Sequence, residues 1–267
     1  MNVTDDELVK FDAHGAAPLP QTGREGFVEN AGGRIWHATY GSGPAVILLH
    51  GGLGNSGNWG HQIAALVASG WQVVVIDCRG HGRSTRDEQP FSYELMASDV
   101  LAVMDQLEIE RAALIGWSDG ACTALILADQ QPHRVSGVFF FACCMDPSGT
   151  KPFVATPVID RCFSRHRKDY AALSATPDQF DAFVEDVSRM MATEPNYSAN
   201  DLEGIKVPVA VVLGDGDEFI KREHIDYIAG AIPDARLIIL PGVSHFAPLQ
   251  RPEHFNREVL GFLDRIS

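Results

Sequence analysis

Six short, nearly uninterrupted apolar runs punctuate the chain: Ala45 to Leu49, Val73 to Ile76, Ala112 to Ile115, Val138 to Ala142, Val207 to Leu213 and Arg236 to Leu240. Each is shorter than a typical helix and lacks the alternation of a strand with one wet face, so each is predicted to be a strand buried on both sides. Longer amphipathic stretches separate them. This alternation predicts an α/β fold with a mostly parallel sheet covered by helices on both faces. Two earlier runs, Gly26-Phe27-Val28-Glu29 and Arg34 to Tyr40, flank the turn pair Gly32-Gly33 and read as strands too, for eight in all.

The alternation fails between about Pro147 and Ile205. No buried-strand run occurs there, but two helices are predicted, one near Val158 to Leu173 and one opening at Thr176-Pro177-Asp178-Gln179. That quartet has the form of a capping box with proline at the first helical position. Aromatic residues and methionines recur through the segment, as expected of a short helical lid over a pocket, though a plain structural insertion would share the pattern. The predicted organisation is a polar leader over residues 1–22, a core domain over 23–146 and 206–267, and a helical cap or lid over 147–205.

At 267 residues and 45% hydrophobic, with mean hydropathy near zero, the chain is long enough to bury a sizeable core. A formal net charge of −14 argues against nucleic acid or an anionic membrane surface as partner, because both would repel it. The first residues are acidic where a secretory signal would be basic, and no segment reaches the roughly 18 apolar residues needed to span a bilayer. The five cysteines follow no metal-binding or disulfide spacing. A reduced, cytoplasmic protein is expected, with Cys143 and Cys144 as small buried side chains and no metal. The oligomeric state stays open, a homodimer included.

The candidate chemistry starts at Gly116-Trp117-Ser118-Asp119-Gly120, where the strand Ala112 to Ile115 passes into a helix that Pro132 stops. A serine between two glycines at a strand-to-helix turn presents its hydroxyl on a tight corner, because the missing side chains let neighbouring backbone come close. A serine needs a base, and the base needs an acid to hold it. Loops after two later strands supply both. Gly214-Asp215-Gly216-Asp217-Glu218 follows one, and Ser244-His245-Phe246 lies just beyond the other. In an open parallel sheet these loops converge on one crevice. Asp217 is the predicted acid, with Asp215 in reserve, and Asp215 and Glu218 are otherwise expected to shape the turn or face water. The oxyanion donors are predicted to be the backbone N–H groups of Asp119 and of Gly52 in His50-Gly51-Gly52. Leu53, Phe153, Phe246 and the Asp119 side chain are candidates to contact substrate, while Trp117 is expected to pack beneath the turn.

Together these motifs, with Asp77-Cys78-Arg79-Gly80-His81-Gly82-Arg83-Ser84, resemble the α/β-hydrolase superfamily from about Gly26 to Leu263. The pentapeptide is similar to that of the valacyclovir hydrolase and biphenyl-hydrolase-like group. The resemblance implies a cofactor-free serine hydrolase acting on a small-molecule ester or lactone through an acyl-enzyme, with α-amino esters as one substrate type. The Asp119 side chain would then either favour amino-substituted acyl groups or face a neighbouring loop and only hold the turn. Two other readings compete. One is a non-catalytic binding or receptor protein on the same fold. The other is an NAD-dependent oxidoreductase, since Gly52-x-Gly54-x-x-Gly57 follows a strand and Asp77 stands 20 residues beyond Gly57.

Overall fold

The computed structural model describes residues 7–267. One eight-stranded sheet runs through it: β1 (Arg24–Asn30), β2 (Gly33–Tyr40), β3 (Ala45–Leu49), β4 (Gln72–Ile76), β5 (Ala112–Trp117), β6 (Val135–Phe141), β7 (Val209–Gly214) and β8 (Ala235–Leu240), in the spatial order β1-β2-β4-β3-β5-β6-β7-β8. β2 is antiparallel to both neighbours, and every other pairing from β4 to β8 is parallel. The apolar runs at β3 to β7 are buried almost throughout, which is why they lack alternation. β8 departs from the expectation of full burial. It is the sheet edge, and Arg236 and Leu237 on it are exposed.

Helices cover both faces. α3 (Tyr93–Gln106) packs on α4 (Asp119–Gln130), and α2 (Gly60–Ala68) packs on the C-terminal helix (Pro252–Ile266), while α8 (Arg222–Ala231) lies against β7 and β8. Ser92 caps α3 by accepting the Leu95 N–H. Within the stretch read as a polar leader, α1 (Leu8–His14) buries Leu8 and Phe11 and packs against α5 (Pro157–Leu173); Met1 to Asp6 of that stretch lie outside the described residues.

The segment between β6 and β7 adds no strand and carries α5, α6 (Phe180–Thr193) and α7 (Ala199–Glu203). The capping box predicted at Thr176 does not form. A single 3₁₀ turn covers Pro177–Gln179, α6 starts at Phe180, and Thr176 makes no capping bond. Its hydroxyl is instead 3.0 Å from that of Tyr170 on α5, so it ties the two helices together.

Two buried charge clusters fix the loops under the sheet's carboxyl end. Arg79 reaches Asp99 on α3 at 2.7 Å and donates to the Ala31 and Asn30 carbonyls, pinning the β1–β2 turn. Asp77 accepts from the Ser56 and Arg83 backbone N–H groups, both at 2.8 Å.

Candidate active site

Ser118 occupies the corner between β5 and α4 with φ 53° and ψ −123°, a conformation that costs a non-glycine residue about 1–3 kcal/mol. Its N–H donates to the Phe141 carbonyl on β6 at 2.8 Å, and its own carbonyl accepts from Ala121 at 2.7 Å. The glycines around it are there for space. A methyl group at Gly120 would land on the Leu49 carbonyl of β3, and one at Gly116 on the first turn of α4.

His245 and Asp217 meet as predicted. The imidazole Nδ1–H donates to Asp217 Oδ2 at 2.8 Å, which leaves Nε2 free for chemistry. Asp217 Oδ1 accepts the backbone N–H groups of Phe219 and Ile220, each at 2.8 Å, so the carboxylate is fixed from both sides. Asp215 accepts the Gly242 N–H and shapes the turn after β8. Glu218, partly exposed, does more than shape its turn: its carboxylate accepts the backbone N–H of His245 at 3.0 Å. Burial of His245 works against its charged form. The charge and hydrogen bond of Asp217, then the charges of Glu218 and Asp119, outweigh burial and hold its pKa above the ordinary imidazole value.

The loop after β3 is held by His50, whose Nδ1–H donates to the Gly51 carbonyl while Nε2 accepts the Cys78 N–H. Leu53 follows with φ 62°. Among the described residues the Gly52 N–H has no acceptor, and the Asp119 N–H opens α4, where intrahelical partners are lacking. Both donors border the same cavity as Ser118 and His245.

That cavity has a volume of about 420 Å³ and a largely apolar wall. Leu53, Phe153 and Phe246 all line it, as does Trp117, which packs against the Trp59 and Phe246 rings. Phe153 stands at the rim, 64% exposed, and stacks on Phe219. Asp119 is only 6% exposed. Its Oδ1 accepts from the Tyr93 hydroxyl at 2.8 Å, and its Oδ2 has no partner. Burial raises this carboxyl to about 6, against the opposing pull of the Tyr93 hydrogen bond and His245. Glu194, which accepts the Tyr93 backbone N–H, adds a second carboxylate to the wall.

A family model for the α/β-hydrolase fold matches residues 44–194, more than half of the chain. The chain belongs to the α/β-hydrolase fold family. This hydrolase is 27% identical over 230 residues to the Homo sapiens serine hydrolase BPHL, across 82% of this chain and 79% of that protein. It is 29% identical over 260 residues to the 2-hydroxy-6-oxo-6-phenylhexa-2,4-dienoate hydrolase of Burkholderia cepacia, across 84% and 88%. Among solved structures, Est816, described as an N-acyl homoserine lactone degrading enzyme, aligns with a TM-score of 0.71 at 28% identity, covering 89% of this chain and 100% of that one.

The dinucleotide reading of this hydrolase fails at Asp77. That carboxylate is fully buried beneath Ser56 N–H and the backbone and guanidinium of Arg83, out of reach of a ribose. Among the described residues no cluster of three His, Cys, Asp or Glu side chains is placed to hold a metal, and the five cysteines are buried free thiols. Among the described residues no helix is long and apolar enough to cross a membrane. Sequence reasoning missed Tyr93, Glu194 and His166 as cavity residues. Ser92-Tyr93 carried only a helix-start signal, and Glu194 and His166 lie in a segment whose pattern reports helices but not which face meets the cavity.

Proposed function

We propose that this α/β hydrolase is a serine esterase or lactonase that works through an acyl-enzyme on small carboxylic esters. The observation carrying this reading is the His245–Asp217 pair, 2.8 Å apart, opening onto the cavity that Ser118 lines from a strained backbone corner. His245 Nε2 takes the Ser118 proton as the hydroxyl attacks the ester carbonyl. The oxyanion that forms is held by the N–H groups of Gly52 and Asp119, an arrangement worth about 3–4 kcal/mol of barrier per donor in comparable sites. His245 then gives its proton to the departing alcohol, later draws one from the water that attacks the acyl-enzyme, and returns it to Ser118 Oγ as the acyl–oxygen bond breaks and the acid departs. Asp217 keeps the imidazole in the required tautomer throughout. Side chains, backbone and water supply every step.

Residues 147–205 act in this scheme as the lid, since α5 and α6 contribute Phe163, Val184, Val187 and Met191 to the cavity wall. The relatives support hydrolysis and differ in their named substrates, so the substrate reading rests on the cavity. A fluorophosphonate probe should label the wild-type protein at Ser118 and leave Ser118→Ala unlabelled. Labelling that persists in the alanine variant, or none in folded wild type, would sink the reading.

The unpaired Oδ2 of Asp119, with Glu194 nearby on the same wall, favours an acyl group bearing an ammonium. Asp119→Ala is expected to cut the ratio of amino-ester to neutral-ester turnover about tenfold or more, the order of one charge-assisted contact. An unchanged ratio would remove the amino preference and leave the esterase reading intact.

A further inference from the structure

The cavity contains a polar side chain that none of the acyl-transfer steps uses. His166 lies on α5, buried, with the Phe163 ring 6.5 Å from its own and the Phe11 ring of α1 edge-on at 6.1 Å. It lines the cavity, and its ring nitrogens have no hydrogen-bond partner among the described residues; Nδ1 is fully enclosed and bare. Buried polar groups in folded proteins are paired in more than roughly nine cases in ten. With Nδ1 enclosed, Nε2 is the ring nitrogen at which a ligand entering this wall of phenylalanine, valine and methionine would find a partner.

Three other polar groups of the cavity wall are already committed. The Tyr93 hydroxyl is given to Asp119, His245 to Asp217, and the Lys151 ammonium to the Asp217 carbonyl at 2.6 Å. Trp117 Nε1 and Asp119 Oδ2 are the other bare buried atoms of lining residues; the first offers only a donor, and the second offers a negative charge. His166 offers none. Burial, reinforced by His50 and Arg165, pushes its pKa down to about 4, so near neutral pH the ring is uncharged. A neutral imidazole has one N–H donor and one bare nitrogen acceptor, which suits a neutral hydroxyl or carbonyl rather than an ion.

Position decides which half of the substrate reaches it. The rim is built from exposed Thr150, Lys151 and Phe153, whereas His166 belongs to the enclosed part. In acyl transfer the alcohol leaves first and the acyl part stays on the serine, so the open rim suits the alcohol and the enclosed wall suits the acyl chain. We propose that His166 is a specificity subsite that hydrogen-bonds a neutral hydroxyl or carbonyl carried on the acyl chain of the substrate. The inference rests on the serine-hydrolase reading and is independent of the Asp119 amino preference.

Four p-nitrophenyl esters test it as two matched pairs of short and long reach: 3-hydroxybutyrate against isovalerate, where a methyl replaces the hydroxyl, and 4-hydroxyphenylacetate against phenylacetate. The reading is the hydroxylated-to-plain ratio of kcat/KM in each variant divided by the same ratio in wild type, which cancels intrinsic ester reactivity. For at least one pair His166→Phe is expected to lower the ratio roughly three- to tenfold, the span of one hydrogen bond. His166→Gln, which keeps a donor and an acceptor, should recover part of it. His166→Leu gives the same reading with a smaller side chain should phenylalanine disturb the fold, and fluorophosphonate labelling of Ser118 reports an intact site in each variant. Ratios unmoved in both pairs, with labelling intact, would overturn the subsite and leave the hydrolase standing. Absence of Ser118 labelling in folded wild type would instead remove the hydrolase reading, and the subsite with it.

Discussion

At the scale of the residue, two adjacent acids hold His245 by different parts, Asp217 by the ring and Glu218 by the backbone N–H. The second contact has an electrostatic consequence, since Glu218 is one of the charges that raise the His245 pKa. Glu218→Gln keeps an acceptor but removes the charge, so the pKa should fall. A base must be neutral to act, and the acid limb of the kcat/KM profile for a neutral ester is therefore expected to move to lower pH. A limb that stays put would show that Glu218 is structural only. Asp119 carries the opposite sign of consequence. Its carboxyl is raised to about 6 by burial, so the folded state holds its proton more tightly than the unfolded chain and stability is lost as pH rises through that value. The shift from an ordinary aspartate corresponds to about 3 kcal/mol at most. Asp119→Asn should thus raise the melting temperature by several degrees at pH 8 and leave it nearly unchanged at pH 4, as thermal unfolding at the two values would show. The amino-ester preference should likewise fade as pH drops through about 6, where the carboxyl gains its proton. Ser118, Asp217 and His245 were legible because their chemistry demands loops after particular strands. Glu218 and Tyr93 were not, because a backbone N–H acceptor and a phenol 26 residues from its partner leave no spacing to read.

At the scale of the element, the β5–α4 corner shows why a strand can turn into a helix here. α4 packs on β3, β5 and β6 at once, and Gly120 is what lets its first turn lie against the Leu49 carbonyl. Gly120→Ala is expected to cost about 1–3 kcal/mol from overpacking and to lose fluorophosphonate labelling as Ser118 shifts; denaturant unfolding and labelling check the two effects separately. Strands β3 to β7 were predicted to within a few residues because burial on both faces writes itself as uninterrupted apolar sequence. β8 has a similar apolar run and is only half covered, since sheet position, not composition, makes it an edge. The start of α6 was misplaced for a related reason. Thr176 has the right neighbours for a cap, yet its hydroxyl pairs with that of Tyr170, a tertiary partner that local pattern cannot include.

At the scale of the whole molecule, the hairpin of β1 and β2, paired to β4 through β2, is further tied to α3 through Arg79, which is 1% exposed and bonded to Asp99 and two carbonyls of the hairpin turn. Removing one partner of such a buried pair leaves an uncompensated charge, so Arg79→Met should cost about 3–5 kcal/mol, and adding Asp99→Leu should restore part of it. Chemical denaturation of the single and double variants measures both. The chain by itself determined the sheet and the convergence of Ser118, Asp217 and His245 on one crevice, because apolar runs report burial and the loops after parallel strands meet at one end of the sheet. Only tertiary structure decided the character of the cavity. The bare oxygen of Asp119, the carboxylate of Glu194 and the unpaired ring of His166 meet there through packing of α3, α5 and α6 over the elbow, and no local periodicity encodes which side chains distant segments will face.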